Sequence, residues 1–174
     1  MFYALMIDSN GNGYGSHAYG EEPSSLPSNE IPCTQPQAQN ASAYQVVNGQ
    51  IVESLAYAKT SQIAILQSAF QKAEQAPVSL TLASGVTTSF GMTPHDWTKI
   101  VGLYSKYVAK GDALPAGYQI PDANGTLQSV TVTDIENLFN AGETQMTGAI
   151  AKLASLVGEV QAATKVSDVQ AIVW

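Results

Sequence analysis

The chain has 174 residues, of which 45% are hydrophobic, enough for one medium domain or two small ones with an apolar core. Only 12% are charged, the net charge is −7 and all the basic residues are lysines, which excludes the arginine-rich basic face typical of nucleic-acid binding and disfavours an anionic membrane surface. No apolar run approaches the ~18–20 residues of a membrane span, and the N-terminus lacks the basic region of a signal peptide, so we expect a soluble cytosolic protein.

Residues 1–53 indicate a small β-rich N-terminal module built from hairpins. Residues 2–7 are apolar and precede a glycine-rich turn and a second extended piece, which predicts the first hairpin. Thr34 is positioned to cap a short helix. Asn48-Gly49 between two apolar pieces predicts a second hairpin.

Residues 54–174 favour a helix-rich domain with a small antiparallel sheet. Residues 54–76 contain neither Gly nor Pro and predict a helix. One face of this helix is apolar: Ile63, Leu66, Phe70 and Ala73. Residues 78–84 alternate with period two and predict a strand, and residues 118–132 predict a hairpin that turns at residues 122–125. The expected fold class is therefore α+β.

His95 and Asp96 form the one adjacent pair that suggests acid–base catalysis. Thr93 and Pro94 before them are typical of an N-cap and a first helical position. Asp96 then falls in the first turn, where a carboxylate opposes the helix dipole, and Gly111 ends the pattern. We expect the start of a helix, with His95 facing solvent.

The most regular pattern in the chain predicts a long C-terminal helix over residues 133–164. Thr133-Asp134-Ile135-Glu136 fits a capping box at its start. An apolar seven-residue repeat follows through Ile135, Phe139, Gly142, Met146, Ala149, Leu153, Leu156 and Val160. The stripe is wider than a two-helix coiled-coil seam, because Leu138, Ile150 and Val157 flank it. We expect it to pack on the earlier helix and to leave a seam for self-association or a partner.

A brief final helix, with Ser167 as its expected cap, leads to Trp174. A tryptophan at this position packs either in the core of the helical half or on a partner, and the sequence leaves both alternatives open. Core packing is the commoner outcome.

Metal-binding patterns are incomplete. Residues 8–13 copy the start of a calcium loop, but the twelfth position is Tyr19 instead of a bidentate glutamate, so a tight turn is favoured. The two histidines, His17 and His95, do not have the spacing of a metal site. We expect no metal-binding residues and no cofactor.

Catalytic patterns are equally incomplete. Cys33 has no histidine nearby that would activate a thiol. A hydrolase acting on surface polysaccharide would need paired carboxylates, but Glu21, Glu22 and Glu30 lie in a predicted loop without an aromatic-rich groove. We expect no catalytic residues and a non-enzymatic protein.

Several segments carry a family resemblance. They are the helix at 54–76, "VSLTLAS", "HDWTKIVGLY", "YQIPDANGTLQSVT" and the ending "AAT…V…I…W". On these segments the second half resembles the C-terminal domain of tail fibre assembly proteins of tailed bacteriophages and related phage-tail-like particles. The lead-in "IPCTQPQAQNASAYQVVNGQIVES" is similar to theirs as well, whereas "GMTPHDW" replaces their usual acidic-Arg-Glu run.

The resemblance implies a chaperone in the host bacterial cytoplasm. Such a protein binds the C-terminal, receptor-binding end of a trimeric tail fibre and promotes its folding and trimerisation; some stay bound to the finished fibre. The candidate residues for partner binding or self-association are Phe139, Met146, Leu153, Leu156, Val160 and Trp174. The alternative is a structural virion component, a tail fibre tip protein that forms a permanent homo-oligomer through its heptad helix.

Overall fold

The computed structural model describes all 174 residues as an α+β protein with small antiparallel sheets and two long helices, which confirms the expected fold class. The strands are β1 (Phe2–Ile7), β2 (Gly13–Tyr19), β3 (Glu30–Cys33), β4 (Tyr44–Val47), β5 (Gln50–Glu53), β6 (Val78–Thr81), β7 (Thr87–Phe90), β8 (Gln119–Pro121) and β9 (Leu127–Ser129). The helices are α1 (Gln35–Gln39), α2 (Leu55–Glu74), α3 (Pro94–Leu103), α4 (Val132–Ala162) and α5 (Val166–Ala171). A 3-10 turn covers Ala41–Ala43, and a π-helical turn, Tyr104–Ala109, follows α3 directly.

The chain forms two compact units. The first contains Met1–Leu66 and Leu156–Val173, and the second contains Gln67–Ser155 with Trp174. The units divide within α2 and within α4, so each of these helices contributes residues to both units. The predicted division of the chain, after residue 53, lies at a different position. The predicted division into residues 1–53 and 54–174 stays a prediction.

The first unit contains the sheet β2-β1-β3 and the hairpin β4–β5, and both predicted hairpins are confirmed. Asn48 and Gly49 have φ values of 52° and 77°, the left-handed pair that a two-residue turn matching the strand twist requires. Thr34 caps α1 as expected, and its N–H donates to Gln37 Oε1 at 2.9 Å. The largest fully buried side chains of this unit are Leu5, Leu66, Val160 and Val169.

The second unit contains the hairpins β6–β7 and β8–β9. The predicted strand is confirmed as β6, which ends at Thr81, and the predicted hairpin is confirmed as β8–β9, whereas β7 was not predicted. Val78 and Leu82 on one side of the first strand are buried, as the alternation predicts. The core of this unit is one cluster: Val78, Leu82, Phe90, Met92, Ile100, Tyr107, Ile120, Val130, Ile135 and Leu138. It supplies most of the buried apolar surface that holds the unit together.

α3 begins as the sequence predicts. Thr93 is its N-cap and accepts the Asp96 N–H at 3.3 Å, while the Thr93 hydroxyl donates to Asp96 Oδ2 at 2.6 Å. His95 is exposed, and Gly111 with φ +73° follows the π-helical turn. The stretch around His95 therefore forms the N-terminus of α3.

Two predicted caps are wrong. α4 begins at Val132, and its capping pair is Thr131 with Asp134: the Thr131 N–H donates to Asp134 Oδ2 at 2.8 Å, and the Asp134 N–H donates to Thr131 Oγ1 at 3.2 Å. The carboxylate of Asp134 also accepts the Ala83 N–H at 2.8 Å, and this tertiary contact holds the pair in place. For α5 the N-cap is Lys165, while the Ser167 hydroxyl lies within the helix and donates to Asp168.

α4 spans 31 residues and confirms the predicted long helix. Every residue of its seven-residue repeat is buried or half-buried within the chain. The repeat therefore marks a face that packs within the chain. None of the helices combines the length and the apolarity that crossing a bilayer requires.

Candidate functional site

Phe139, one of the predicted partner-binding residues, lies in an aromatic stack of the second unit. Its ring stacks on Tyr104 with 4.0 Å between centroids and on Trp97 with 5.4 Å. Gly142, one turn further along α4, gives room for the Trp97 ring, because a Cβ at this position would overlap that ring. Phe139 is therefore engaged inside the unit.

The other predicted partner-binding residues of α4 are also partly or fully covered. Met146 and Leu153 of the second unit are half-buried, and Met146 lines a small cavity of about 160 Å³ beside Trp97. In the first unit Leu156 is half-buried and Val160 is 0% exposed. The structure does not bring the predicted set together as an open surface.

Trp174 is half-buried in the second unit. Its ring meets Phe70 edge-on at 6.4 Å between centroids, and Lys152 Nζ lies 4.8 Å from the ring centroid. Such contacts favour the core alternative for this residue.

The second unit contains an open groove of about 910 Å³, within the range of ligand-binding clefts. Its floor, which we define as its buried apolar lining, consists of Phe90, Ile100, Tyr107, Ile120 and Leu138. α3 with the π-helical turn supplies one part of the lining, and the β8–β9 hairpin supplies another. The groove therefore opens directly onto the core of its unit.

The β8 strand presents an unpaired edge in this groove. The Tyr118 carbonyl accepts the Val130 N–H at 3.1 Å and the Asp122 N–H donates to Thr126, so these alternate residues of the hairpin face the β9 side. Gln119 and Pro121 alternate with these residues, so their backbone groups point away from β9. Both residues line the groove. No other strand pairs with β8. Its outer edge therefore offers one N–H donor and two carbonyl acceptors.

Asp122 at the end of β8 carries a carboxylate whose hydrogen bonds are made within the hairpin region. It accepts the N–H groups of Asn124 and Thr126, the Thr88 hydroxyl and the Gln128 amide, all at 2.9–3.0 Å. Burial alone would raise the pKa of Asp122, but these hydrogen bonds outweigh it and lower the pKa below its ordinary value. The carboxylate therefore holds the hairpin, and its acceptor capacity is used.

Lysines are the free charges of the groove. Lys99 and Lys106 line it, both are exposed, and neither lies in a salt bridge. Lys106 Nζ lies 5.0 Å from the Tyr107 ring centroid, a distance at which a cation is attracted to an aromatic face. The remaining carboxylate of the lining, Asp96, accepts the Thr93 hydroxyl. The groove therefore offers two ammonium groups to a ligand.

The π-helical turn Tyr104–Ala109 shapes this lining. A π-turn inserts one residue into the α-helical repeat and rotates the side chains that follow it. Here Tyr107 is 7% exposed and joins the floor, while Lys106 remains at the rim. Such turns are frequent at functional sites, although the sequence pattern gave no sign of this one.

A second polar cluster, in the first unit, was missed by the sequence reasoning. Glu30 begins β3 instead of lying in a loop, and its side chain is only 2% exposed. Its carboxylate lies 2.6 Å from His17 Nδ1 and accepts the Tyr19 hydroxyl at 2.6 Å. This hydrogen bond, aided by burial and the negative charge, raises the pKa of Tyr19. The signal was available in part, because His17 and Tyr19 share one face of β2.

The calcium-like segment forms the expected tight turn. Asp8 Oδ1 accepts the N–H groups of Asn10 and Asn12 at 2.8 and 2.9 Å. The side-chain amide of Asn12, which donates to Asp8 Oδ2 at 3.0 Å, is the main cause that lowers the pKa of Asp8, and the backbone N–H groups lower it further. Cys33 is half-buried in β3, and burial raises the pKa of its thiol. Nowhere do three or more His, Cys, Asp or Glu side chains come together as a set of metal ligands.

Comparison with known proteins adds no relative. No protein-family model matches the chain, and neither a curated protein nor a solved structure matches it. The fold and the groove thus define the class of site: an open apolar groove flanked by an unpaired strand edge and two lysines. This is a geometry suited to an elongated ligand with backbone-like hydrogen-bonding groups.

Proposed function

We propose that this protein is a non-enzymatic chaperone that binds the C-terminal, receptor-binding end of a trimeric phage tail fibre and promotes its folding and trimerisation. The observation that carries the proposal is the groove of the second unit, with its apolar floor beside the open edge of β8. Two of the segments that resemble tail fibre assembly proteins, residues 95–104 and 118–131, supply much of its lining. The resemblance and the geometry therefore concern the same part of the chain.

The physics of fibre assembly explains why such a groove is useful. While three chains find their register, each exposes apolar surface and unpaired strand edges, and both promote aggregation. A partner that pairs with an edge and covers apolar side chains removes both hazards until the trimer forms. The low charge of this chain, 12% of residues, suits an extended contact with another polypeptide.

The alternative of a permanent oligomer held by the heptad helix has less support. An oligomeric coiled coil would need the apolar stripe of α4 to face another chain. Ile135, Leu138 and Ala149 of that helix are instead buried in the second unit, and Val160 is buried in the first. We therefore place the partner contact at the groove.

Co-expression tests this function. The proposal expects a tail fibre gene next to the gene of this protein. The C-terminal region of that fibre is produced alone, with this protein, and with an unrelated soluble protein of similar size. We expect soluble trimeric fibre only in the presence of this protein, measured by native mass spectrometry of the soluble fraction. A fibre that trimerises equally well in all three cultures would refute the proposal. A stable trimer of the isolated protein would favour the structural virion component.

A further inference from the structure

We propose that the groove binds an extended, acidic polypeptide segment by strand addition to β8, with apolar side chains of the segment on the floor and its carboxylates on Lys99 and Lys106. This inference rests on the proposed function and deepens it, because it names the site and the chemistry of the bound segment. Three independent features of the groove carry it: its backbone edge, its floor and its charge.

The backbone edge favours a polypeptide over a small molecule. Gln119 and Pro121 direct one N–H and two carbonyl groups away from β9, in the alternating order that a neighbouring strand pairs with. Pro121 has no N–H, so the pairing is confined to a short stretch of the added strand, and a long aggregate cannot build on this edge. Strand addition provides affinity through main-chain hydrogen bonds, without demanding one sequence.

The floor determines which side chains of the added strand are apolar. Successive side chains of a strand point to opposite faces, so every second residue of the segment would face Ile100, Tyr107 and Ile120. The residues between them would face solvent and the rim. The fitting segment therefore alternates apolar and polar residues.

The exposed rim of the groove, which contains Lys99 and Lys106, determines which charge the polar residues of the bound segment should carry. Lys99 and Lys106 are unpaired, whereas the carboxylates of Asp96 and Asp122 in the same lining already accept hydrogen bonds from the protein. The lining carries two lysines against two aspartates, whereas the whole chain carries seven lysines against fourteen acidic residues, so the groove is a local departure from the acidic character of the chain. Repulsion from the net charge of −7 is screened beyond about 8 Å at physiological salt, while direct contacts with the lysines are not.

Peptide binding in solution tests this inference without the fibre. The probe is a fluorophore-labelled short peptide of alternating Val and Glu, compared with an alternating Val and Lys peptide and with a Val and Glu peptide N-methylated at every backbone amide. Fluorescence anisotropy gives each Kd against the full chain. We expect the Val and Glu peptide to bind most tightly, and N-methylation to remove most of the binding, because it removes the edge hydrogen bonds.

Charge reversal identifies the groove. We expect the double variant Lys99→Glu/Lys106→Glu to bind the acidic peptide about tenfold more weakly and to prefer the basic peptide instead. The matched control is Lys72→Glu/Lys165→Glu, which makes the same change of net charge at two exposed lysines outside the groove and should retain the wild-type preference. Circular dichroism checks folding, and Lys99→Gln/Lys106→Gln serves as a milder pair if the reversal unfolds the unit.

Each other outcome overturns the inference. Equal weakening by the control pair would show that net charge, and not the groove, attracts the peptide. Unchanged affinity of the N-methylated peptide would exclude strand addition. Binding of dodecanoate that depends on Lys99 and Lys106, with no binding of any peptide, would assign the groove to a small apolar carboxylate. Fibre trimerisation that persists in the double reversal variant would refute the site and leave the chaperone function standing.

Discussion

Replacing Gly142 by alanine tests the closest side-chain approach in the second unit. In α4 the Trp97 ring lies against this glycine, and a Cβ added there would overlap one ring atom and lie 3.2 Å from two others. The ring has limited freedom to retreat, because it stacks on Phe139, which stacks in turn on Tyr104. The substitution should therefore disturb the whole aromatic stack.

Two effects of opposite sign determine how much Gly142→Ala changes the free energy of unfolding. Alanine is favoured over glycine in a helix by up to about 1 kcal/mol. Overpacking of a well-filled site costs about 1–3 kcal/mol. The cavity of about 160 Å³ beside Trp97 gives the ring one route of escape, but that movement weakens its stacking on Phe139. We expect Gly142→Ala to lower the free energy of unfolding by about 1–2 kcal/mol, which for a chain of this size lowers the Tm by about 2–8 °C.

The control lies in the same helix. Gly148 is exposed, and no neighbouring group lies within 4 Å of the position that an alanine methyl would take there, so Gly148→Ala should stabilise the protein by up to about 1 kcal/mol. Urea unfolding followed by tryptophan fluorescence measures both variants, because the chain's two tryptophans, Trp97 and Trp174, belong to the second unit. If Gly142→Ala is as stabilising as Gly148→Ala, the close approach of Trp97 to α4 is refuted.

Three further substitutions test polar contacts. At neutral pH, Asp134→Asn should cost about 1–3 kcal/mol in urea unfolding because it disrupts the capping pair with Thr131. Burial opposes the charge of Asp134, but its hydrogen bonds lower its pKa, so the variant should also lose the stability that the wild type keeps above pH 3.8 and loses as the pH falls below it. Gln145→Leu should cost about 1–2 kcal/mol in the same assay, because its amide donates to three carbonyls at the end of α2. Glu30→Gln should return the pKa of Tyr19 towards its ordinary value of 10.0 in a phenolate absorbance titration, and an unchanged titration would contradict the contact.

The sequence predicted the elements whose signals lie between near neighbours. Asn48-Gly49 encodes its turn through backbone conformations that few residues adopt, and Thr93-Pro94 encodes a helix start through one hydroxyl and one fixed φ angle. Both were correct because no distant contact competes with them. The seven-residue repeat of α4 was equally predictable, since it recurs about every two turns along the helix.

The sequence failed where two local solutions were equally good. Thr131 and Thr133 both precede an acidic residue at the distance that a capping pair requires. The contact between Asp134 and the Ala83 N–H, 51 residues away, selects Thr131 as the cap of α4. Glu30 appeared to lie in a proline-rich connector, because a four-residue strand containing Pro32 has no alternation to read. Only the pairing of β3 with β1 brings its carboxylate to His17.

The groove was beyond sequence reasoning for the same reason. Its floor unites residues of β7, α3, the π-helical turn, β8 and α4, which are separated by up to 48 positions between Phe90 and Leu138. In the sequence, Lys99 and Lys106 look like ordinary solvent-exposed helix residues. Only the fold shows that they line a groove together with the β8–β9 hairpin. The predicted partner residues showed the reverse problem: periodicity identifies an apolar face such as that of Phe139 and Val160, but it does not say whether the same chain covers it.

The groove exists because the two hairpins of the second unit form separate sheets. Ala123 donates its N–H to the Ser89 carbonyl at 2.7 Å, so β7 and the end of β8 already meet at one backbone hydrogen bond. Pro121, on the same outer edge, has no N–H to extend the pairing, and β7 ends at Phe90, before Gly91. The sequence therefore prevents β6–β7 and β8–β9 from joining into one four-stranded sheet. The outer edge of β8, which β7 would have paired with, stays open above the core. An incoming strand that brings its own N–H groups supplies donors to the Gln119 and Pro121 carbonyls, which is why we assign this edge to a partner.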